Sequence, residues 1–183
     1  MTRTITAELF ASLDLVVEAP ETWHFPWVGQ EMLAEVTREQ GEASALLLGR
    51  RTYEVFAGSW PDRGDDVPLA RQLNAMPKIV VSSTLGSPTW HNSEVVGFDD
   101  LAALKESGEG RVTVAGSIRL VESLIAGGLL DELRILTHPV VLGEGRRLFD
   151  TYAGPRVDLE LVESRTLERG VQLTVHRPST HHE

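Results

Sequence analysis

The sequence predicts an α/β fold: a largely parallel sheet covered on both faces, with an antiparallel pair at its C-terminal edge. Three observations carry this expectation. Short apolar runs at 43–48, 78–82 and 111–115 alternate with segments of helical period, the pattern of buried parallel strands joined by crossover helices. Residues 159–166 and 171–176 alternate apolar and polar around Glu168-Arg169-Gly170, a β-hairpin signal. The 183 residues are 42% hydrophobic and 24% charged, an ordinary globular composition for roughly one domain. Residues 1–177 are read as that domain and 178–183 as a polar tail.

The elements follow in order. Ile5, Ala7, Leu9 and Ala11 alternate with Thr6, Glu8, Phe10 and Ser12, giving a first strand that 13–17 either continue or turn into a short hairpin. Pro20 and Pro26 make 18–27 a loop, whose Trp23, Phe25 and Trp27 are expected to line a cleft or cover the core. Met32, Leu33 and Val36 mark a helix over 30–40, which Gly41 can end. After the strand at 43–48 come a helical turn at 52–57, a polar loop at 60–68, a helix at 69–75 and strands at 78–82 and 94–97. Asp99 or Asp100 can cap a helix through Lys105. Ser117 can cap the helix carrying Leu120, Leu124 and Ile125, which Gly127-Gly128 ends. A strand at 132–138 stops at Pro139, and 140–149 is punctuated by glycine.

Several function classes are excluded. With 17 basic and 27 acidic residues the formal charge is -10, so the chain repels nucleic-acid backbones. The apolar runs are too short to span a bilayer, and no signal-peptide stretch follows Met1, so a cytoplasmic protein is expected. The absence of cysteine removes thiolate chemistry, and the six histidines form no metal-ligand spacing.

Two strand–glycine–helix junctions are candidate anion sites. In Leu48-Gly49-Arg50-Arg51-Thr52 a helix N-terminus and two arginines suit a phosphate, although Gly49 can simply make the turn while the arginines face solvent. Ala115-Gly116-Ser117 lets a ligand approach the backbone, or only turns the chain. Ser82, Ser83 and Thr84 at a strand end can contact a ligand or cap the turn. Val141 to Phe149 is rich in glycine, but no Lys-Ser/Thr pair follows, so Walker-type binding is rejected.

Together these segments resemble the dihydrofolate reductase-like superfamily. Within it they are most similar to stand-alone proteins related to the C-terminal reductase domain of bifunctional riboflavin-biosynthesis deaminase/reductases. The resemblance rests on Ser12-Leu13-Asp14, Leu48-Gly49-Arg50-Arg51-Thr52-Tyr53, Trp60-Pro61, Pro77 to Ser83, Ala115-Gly116-Ser117, Gly128 to Leu133 and Pro139 to Gly145. It implies a three-layer fold with a mostly parallel sheet of about eight strands and a C-terminal antiparallel hairpin. It also implies an NADPH site: Gly49, Arg50, Arg51 and Thr52 on the phosphates, and Val81, Ser82 and Ser83 flanking the adenosine half. Gly116, Ser117 and Ile118 would lie at the pyrophosphate and nicotinamide ribose, and Val17 near the nicotinamide ring.

On the substrate side Trp23-His24-Phe25-Pro26 matches a Trp-x-x-Pro motif, but Val28 stands where classical members carry a carboxylate. Valine relays no proton, so classical dihydrofolate reductase activity is not expected. Glu31 substitutes only if its helix shifts, and Leu15 replaces the glycine that follows Asp14 in the riboflavin-type signature. Asp14 and Thr137 are the candidate catalytic residues, His24 a further acid to test, and Trp23, Phe25 and Trp27 the candidate substrate pocket. The expected function is NADPH-dependent hydride transfer to a small heterocyclic or carbonyl substrate by a homodimeric protein. The alternative is a non-catalytic nucleotide-binding or dimeric scaffold protein of the same fold.

Overall fold

The computed structural model describes residues 2–64 and 67–179. The expectations for Asp65 and Asp66 in the polar loop, and for 180–183 in the tail, lie outside the described residues. Eight strands form one sheet: β1 (Thr4–Ser12), β2 (Ala43–Gly49), β3 (Lys78–Val81), β4 (Ser93–Val96), β5 (Arg111–Ala115), β6 (Glu132–His138), β7 (Leu159–Thr166) and β8 (Gln172–Pro178). Their order is β4-β3-β2-β5-β1-β6-β8-β7. β1 to β6 pair in parallel, whereas β8 runs antiparallel to both β6 and β7. Pro178, assigned to the tail by its polarity, closes β8 opposite Leu159.

Five helices cover the sheet: α1 (Gln30–Glu42), α2 (Arg50–Ala57), α3 (Pro68–Ala75), α4 (Leu101–Glu106) and α5 (Ile118–Ala126). Strand alternation sends Ile5, Ala7, Leu9, Val112, Val114 and Leu133 into one core with α4 and α5. Leu46, Leu48 and Val80 pack on the opposite face with Tyr53 of α2 and Leu73 of α3. Lys78 is buried in that face, its ammonium 4.2 Å over the Trp90 ring and donating to the Asn74 and His91 carbonyls. Burial pushes its pKa down to about 8.

The helix at 30–40 extends past Gly41 to Glu42 and feeds directly into β2, because Gly41 keeps helical geometry against Gln72. Its inward face also differs from the apolar pattern. Leu33 is exposed, and Met32, Glu35, Glu39 and Gln40 are buried. These carboxylates meet Arg134 of β6, which also faces Glu8 of β1 and Glu132. Outer arginines complete the cluster: Arg38 and Arg165 on Glu35, Arg38 and Arg111 on Glu39, and Arg177 on Glu132. A buried charge is tolerated only when paired in this way.

Two capping expectations change partner. Asp100 accepts the Gly97 N–H at 2.9 Å instead of capping α4 with its side chain. Ser117 holds the N-cap position of α5, but its hydroxyl accepts from the Gly49 N–H at 2.9 Å.

Candidate active site

The order of the strands determines where a ligand fits. The chain leaves β2 toward β3 and leaves β5 toward β6, in opposite directions along the sheet, although β2 and β5 are neighbours. The carboxyl ends of β2 and β5 are therefore a topological switch point, where helices part and open a crevice. A cleft of about 370 Å³ lies there, within the range of small-molecule sites. Val17, Arg51, Thr52, Gly116, Ser117 and Ile118 of the expected cofactor residues line it.

The backbone at this point is built for close approach. Gly116 has φ +63°, and Ser117 follows at φ 65°, a strained conformation for a residue with a side chain. A Cβ on Gly116 would stand 3.5 Å from Thr52 Cγ2, filling the gap between the two junctions. The first helical bond of α5 runs from the Val121 N–H to the Ser117 carbonyl at 3.0 Å. The amides of Ile118, Arg119 and Leu120 thus lie ahead of the helical ladder, the arrangement that accepts an anion. Among the described residues the Arg51 guanidinium makes no hydrogen bond or close ion pair, and its charge acts on Glu18 across the cleft. These features fit a dinucleotide diphosphate.

The other expected cofactor residues stand outside the cleft. Gly49 serves through its bond to Ser117. Arg50 turns away from Arg51: its Nη1 donates to Thr84 Oγ1 at 2.7 Å and its Nε to Glu54 at 2.7 Å. This puts Arg50 beside the loop that follows β3. In that loop Ser82 Oγ accepts from the Thr84 and Leu85 amides, so the hydroxyl caps the turn. Val81 packs against the core, and Ser83 is exposed beside it.

The expected catalytic residues are displaced from the cleft. Asp14 accepts from Ser12 Oγ at 2.7 Å, the Leu142 and Gly143 amides at 3.1 and 2.9 Å, and Arg147 at 3.2 Å. The Ser12 hydroxyl and these amides hold its carboxyl well below the usual range. With these bonds Asp14 pins the 140–149 loop to the turn after β1. Leu15 takes φ 65° in that turn, the conformation open to the family's glycine. Thr137 is not among the residues lining the cleft; its neighbours Leu136 and His138 point to the α1 face that Glu8 and Phe10 share.

The aromatic loop also takes another place. Trp23, His24 and Trp27 gather around the buried His138, with Trp23 and His138 ring centres 5.2 Å apart, and Phe25 is exposed. They close the end of β6, and Phe10 joins this cluster to the cleft. His24 Nδ1 is engaged by the Pro20 carbonyl at 2.6 Å. Glu31 does not replace the missing carboxylate. Its Oε2 accepts the Glu168 amide at 2.7 Å, while Glu168 returns a bond to the Gln30 amide.

Residues not anticipated from the sequence form the rest of the cleft. Val55, Phe56, Trp60 and Leu69 supply the apolar wall. Arg146 reaches the rim from the glycine-punctuated loop and donates to Glu18 at 2.7 Å. That loop can approach because a Cβ on Gly145 would come within 2.7 Å of Val16. On the floor, Glu8 and Gln40 are buried. The arginines in Gly145-Arg146-Arg147, in so acidic a chain, were the available signal for Arg146. Glu8 carried none, because alternation made it merely a polar position.

The model of the RibD C-terminal domain family matches residues 3–173. The "Uncharacterized protein YyaP" of Bacillus subtilis (strain 168) is 26% identical over 183 residues, covering 95% of each chain. Among solved structures, a putative riboflavin biosynthesis protein from Shewanella sp. PV-4 superimposes with TM-score 0.74 at 18% identity, over 98% of this chain and 99% of that one. A pyrimidine reductase-like protein from Corynebacterium diphtheriae gives 0.67 at 12% identity, over 98% and 93%. Acinetobacter baumannii RibD gives 0.62 at 14%, over 97% of this chain and 58% of that chain. The last three likenesses concern the fold, a mostly parallel dihydrofolate reductase-like sheet ending in an antiparallel pair. No helix among the described residues is long and apolar enough to cross a membrane.

Proposed function

The chain belongs to the RibD C-terminal domain family, a reductase-like family, and from that premise we propose that its cleft binds NADPH and reduces a small heterocyclic or carbonyl substrate. The observation that carries this reading is the convergence, at the switch point, of the Gly116-Ser117 turn, the α5 N-terminus and Arg51. Bound NADPH supplies a hydride. The residues of this chain do the rest: Ile118, Ser117 and Arg51 hold the diphosphate, and Thr52 packs against it. Val17 and Phe10 border the ring position, and Phe56 and Trp60 exclude water from the facing wall. Holding two reactants in register in such a site lowers the barrier chiefly through proximity and orientation. Arg50, beside the loop after β3, is placed for the 2′-phosphate.

Titration of the purified protein with NADPH, followed by energy transfer from its four tryptophans, tests the reading. Saturable quenching is expected. The Gly116→Val variant, which fills the gap beside Thr52 and forces a β-branched residue into positive φ, is expected to lose it. Absence of binding by the unsubstituted protein at millimolar cofactor overturns the reading.

A further inference from the structure

Two buried side chains on the floor of the cleft each carry an oxygen without a hydrogen bond. Glu8 projects from β1 with its side chain 5% exposed, and its Oε2 makes no hydrogen bond. Gln40, near the end of α1, is also buried, and its Oε1 makes none. Folded proteins keep few such atoms. Glu8 Oε2 faces Arg134 Nε, which also lacks a hydrogen bond, and Gln40 Oε1 is left for a ligand to complete.

Glu8 also differs from the other carboxylates of its cluster. Facing it are Glu35 and Glu39 from α1, and Arg134 and Glu132 from β6. Arg51, Arg146, Glu18 and Glu21 stand on the other walls of the cleft. Glu35, Glu39 and Glu132 each have a second arginine, but among the described residues Glu8 has only the shared Arg134. Arg134 Nε lies 3.6 Å from Glu8 Oε2, a loose ion pair. Burial above all, with repulsion from Glu39 and Glu35, outweighs Arg134 and pushes the Glu8 carboxyl up to about 7.

We propose that Glu8 is the acid of this cleft, carrying a proton that it delivers to the reduced substrate, while Gln40 Oε1 accepts an N–H of the same molecule. This rests on the reductase reading above. In the step, the carbon of a C=N or C=O bond takes hydride from the dihydronicotinamide, which is thereby oxidised. The π pair moves onto the heteroatom, which takes the Glu8 proton. Glu8 is left as a carboxylate and regains a proton from solvent through the cleft mouth. The acid thus stands on β1 instead of at the Val28 position.

The test combines a carboxyl-carbon NMR titration with binding of 2-pyridone, whose C=O and N–H match a neutral acid and an amide oxygen. A carboxyl titrating near neutrality is expected, absent from Glu8→Gln. Affinity for 2-pyridone should fall about tenfold per pH unit above that titration, because a carboxylate has no proton to donate. Glu8→Gln keeps a donor that does not titrate, so its affinity should be flat with pH. Gln40→Leu should weaken 2-pyridone by about tenfold with an unchanged pH slope. Glu8 titrating in the ordinary carboxylate range, or 2-pyridone binding that is absent or flat with pH in the unsubstituted protein, overturns the proposal. The unsubstituted profile decides even if a variant does not fold. Loss of NADPH binding with the 2-pyridone profile intact sinks the reductase reading and leaves the Glu8–Gln40 ligand pair standing.

Discussion

Arg134→Leu is expected to cost about 3–5 kcal/mol at neutral pH, the usual consequence of removing one partner from a buried ionic cluster. Arg134 is 4% exposed and, among the described residues, is the one cation that faces Glu8, Glu35, Glu39 and Glu132 together. The leucine would leave these carboxylates repelling one another between α1 and the sheet. The outer arginines hold Glu35, Glu39 and Glu132 from the periphery, but none of them reaches Glu8. The pH dependence gives a second readout. Arg134 lowers the Glu8 and Glu35 carboxyls, so without it both rise and the variant takes up more protons in the folded state. Its deficit should therefore shrink as pH is lowered from 7 toward 5. Urea unfolding at several pH values measures both effects. A variant as stable as the parent at pH 7 would show that the cluster does not hold the helix to the sheet.

Arg50→Ala and Arg51→Ala are expected to separate NADPH from NADH. Arg51 lines the cleft beside the Gly116 turn, where a diphosphate common to both cofactors would bind. Its loss should weaken both by about 10- to 100-fold, the worth of a charge-assisted hydrogen bond. Arg50 points to Thr84 in the loop after β3. Its loss should weaken NADPH by a similar factor and leave NADH nearly unchanged, because only NADPH carries the 2′-phosphate. Parallel fluorescence titrations measure this. Equal losses for both cofactors on Arg50→Ala would take Arg50 off the 2′-phosphate, and no loss on Arg51→Ala would take Arg51 off the diphosphate.

The sheet and its glycine junctions were legible because their signals are local. Buried strands read as apolar runs, and Gly49 and Gly116 punctuate them where the chain must turn. Such positions declare themselves through backbone constraints, and at Gly116 the positive φ makes glycine the easiest residue. The chemistry was less legible because it depends on which polar side chains the fold buries. Periodicity put Leu33 on the inward face of α1, but tertiary charge pairing turned Glu35, Glu39 and Gln40 inward. No local signal distinguishes Glu8 from any exposed strand glutamate. Only the juxtaposition of β1, β6 and α1 isolates it, which is contact at long sequence separation. Of the two places open to the aromatic loop, a cleft wall or a cover for the core, Trp27 takes the second. Trp23 and Trp27 needed burial, but His138, more than a hundred residues away, provided it at the end of β6. Asp14 matched a family signature, and besides its local bond from Ser12 it accepts from the distant Leu142 and Gly143 amides and Arg147.

The central claim is that the switch-point cleft holds a nicotinamide dinucleotide with its reactive ring over the floor that carries Glu8. A crystal structure of the protein grown with NADP⁺ tests it most directly. The expected result is density for the diphosphate on the Ser117 and Ile118 amides and Arg51, with the nicotinamide between Val17 and Phe10. Dinucleotide density elsewhere on the molecule, or a nicotinamide ring directed away from Glu8, would contradict it.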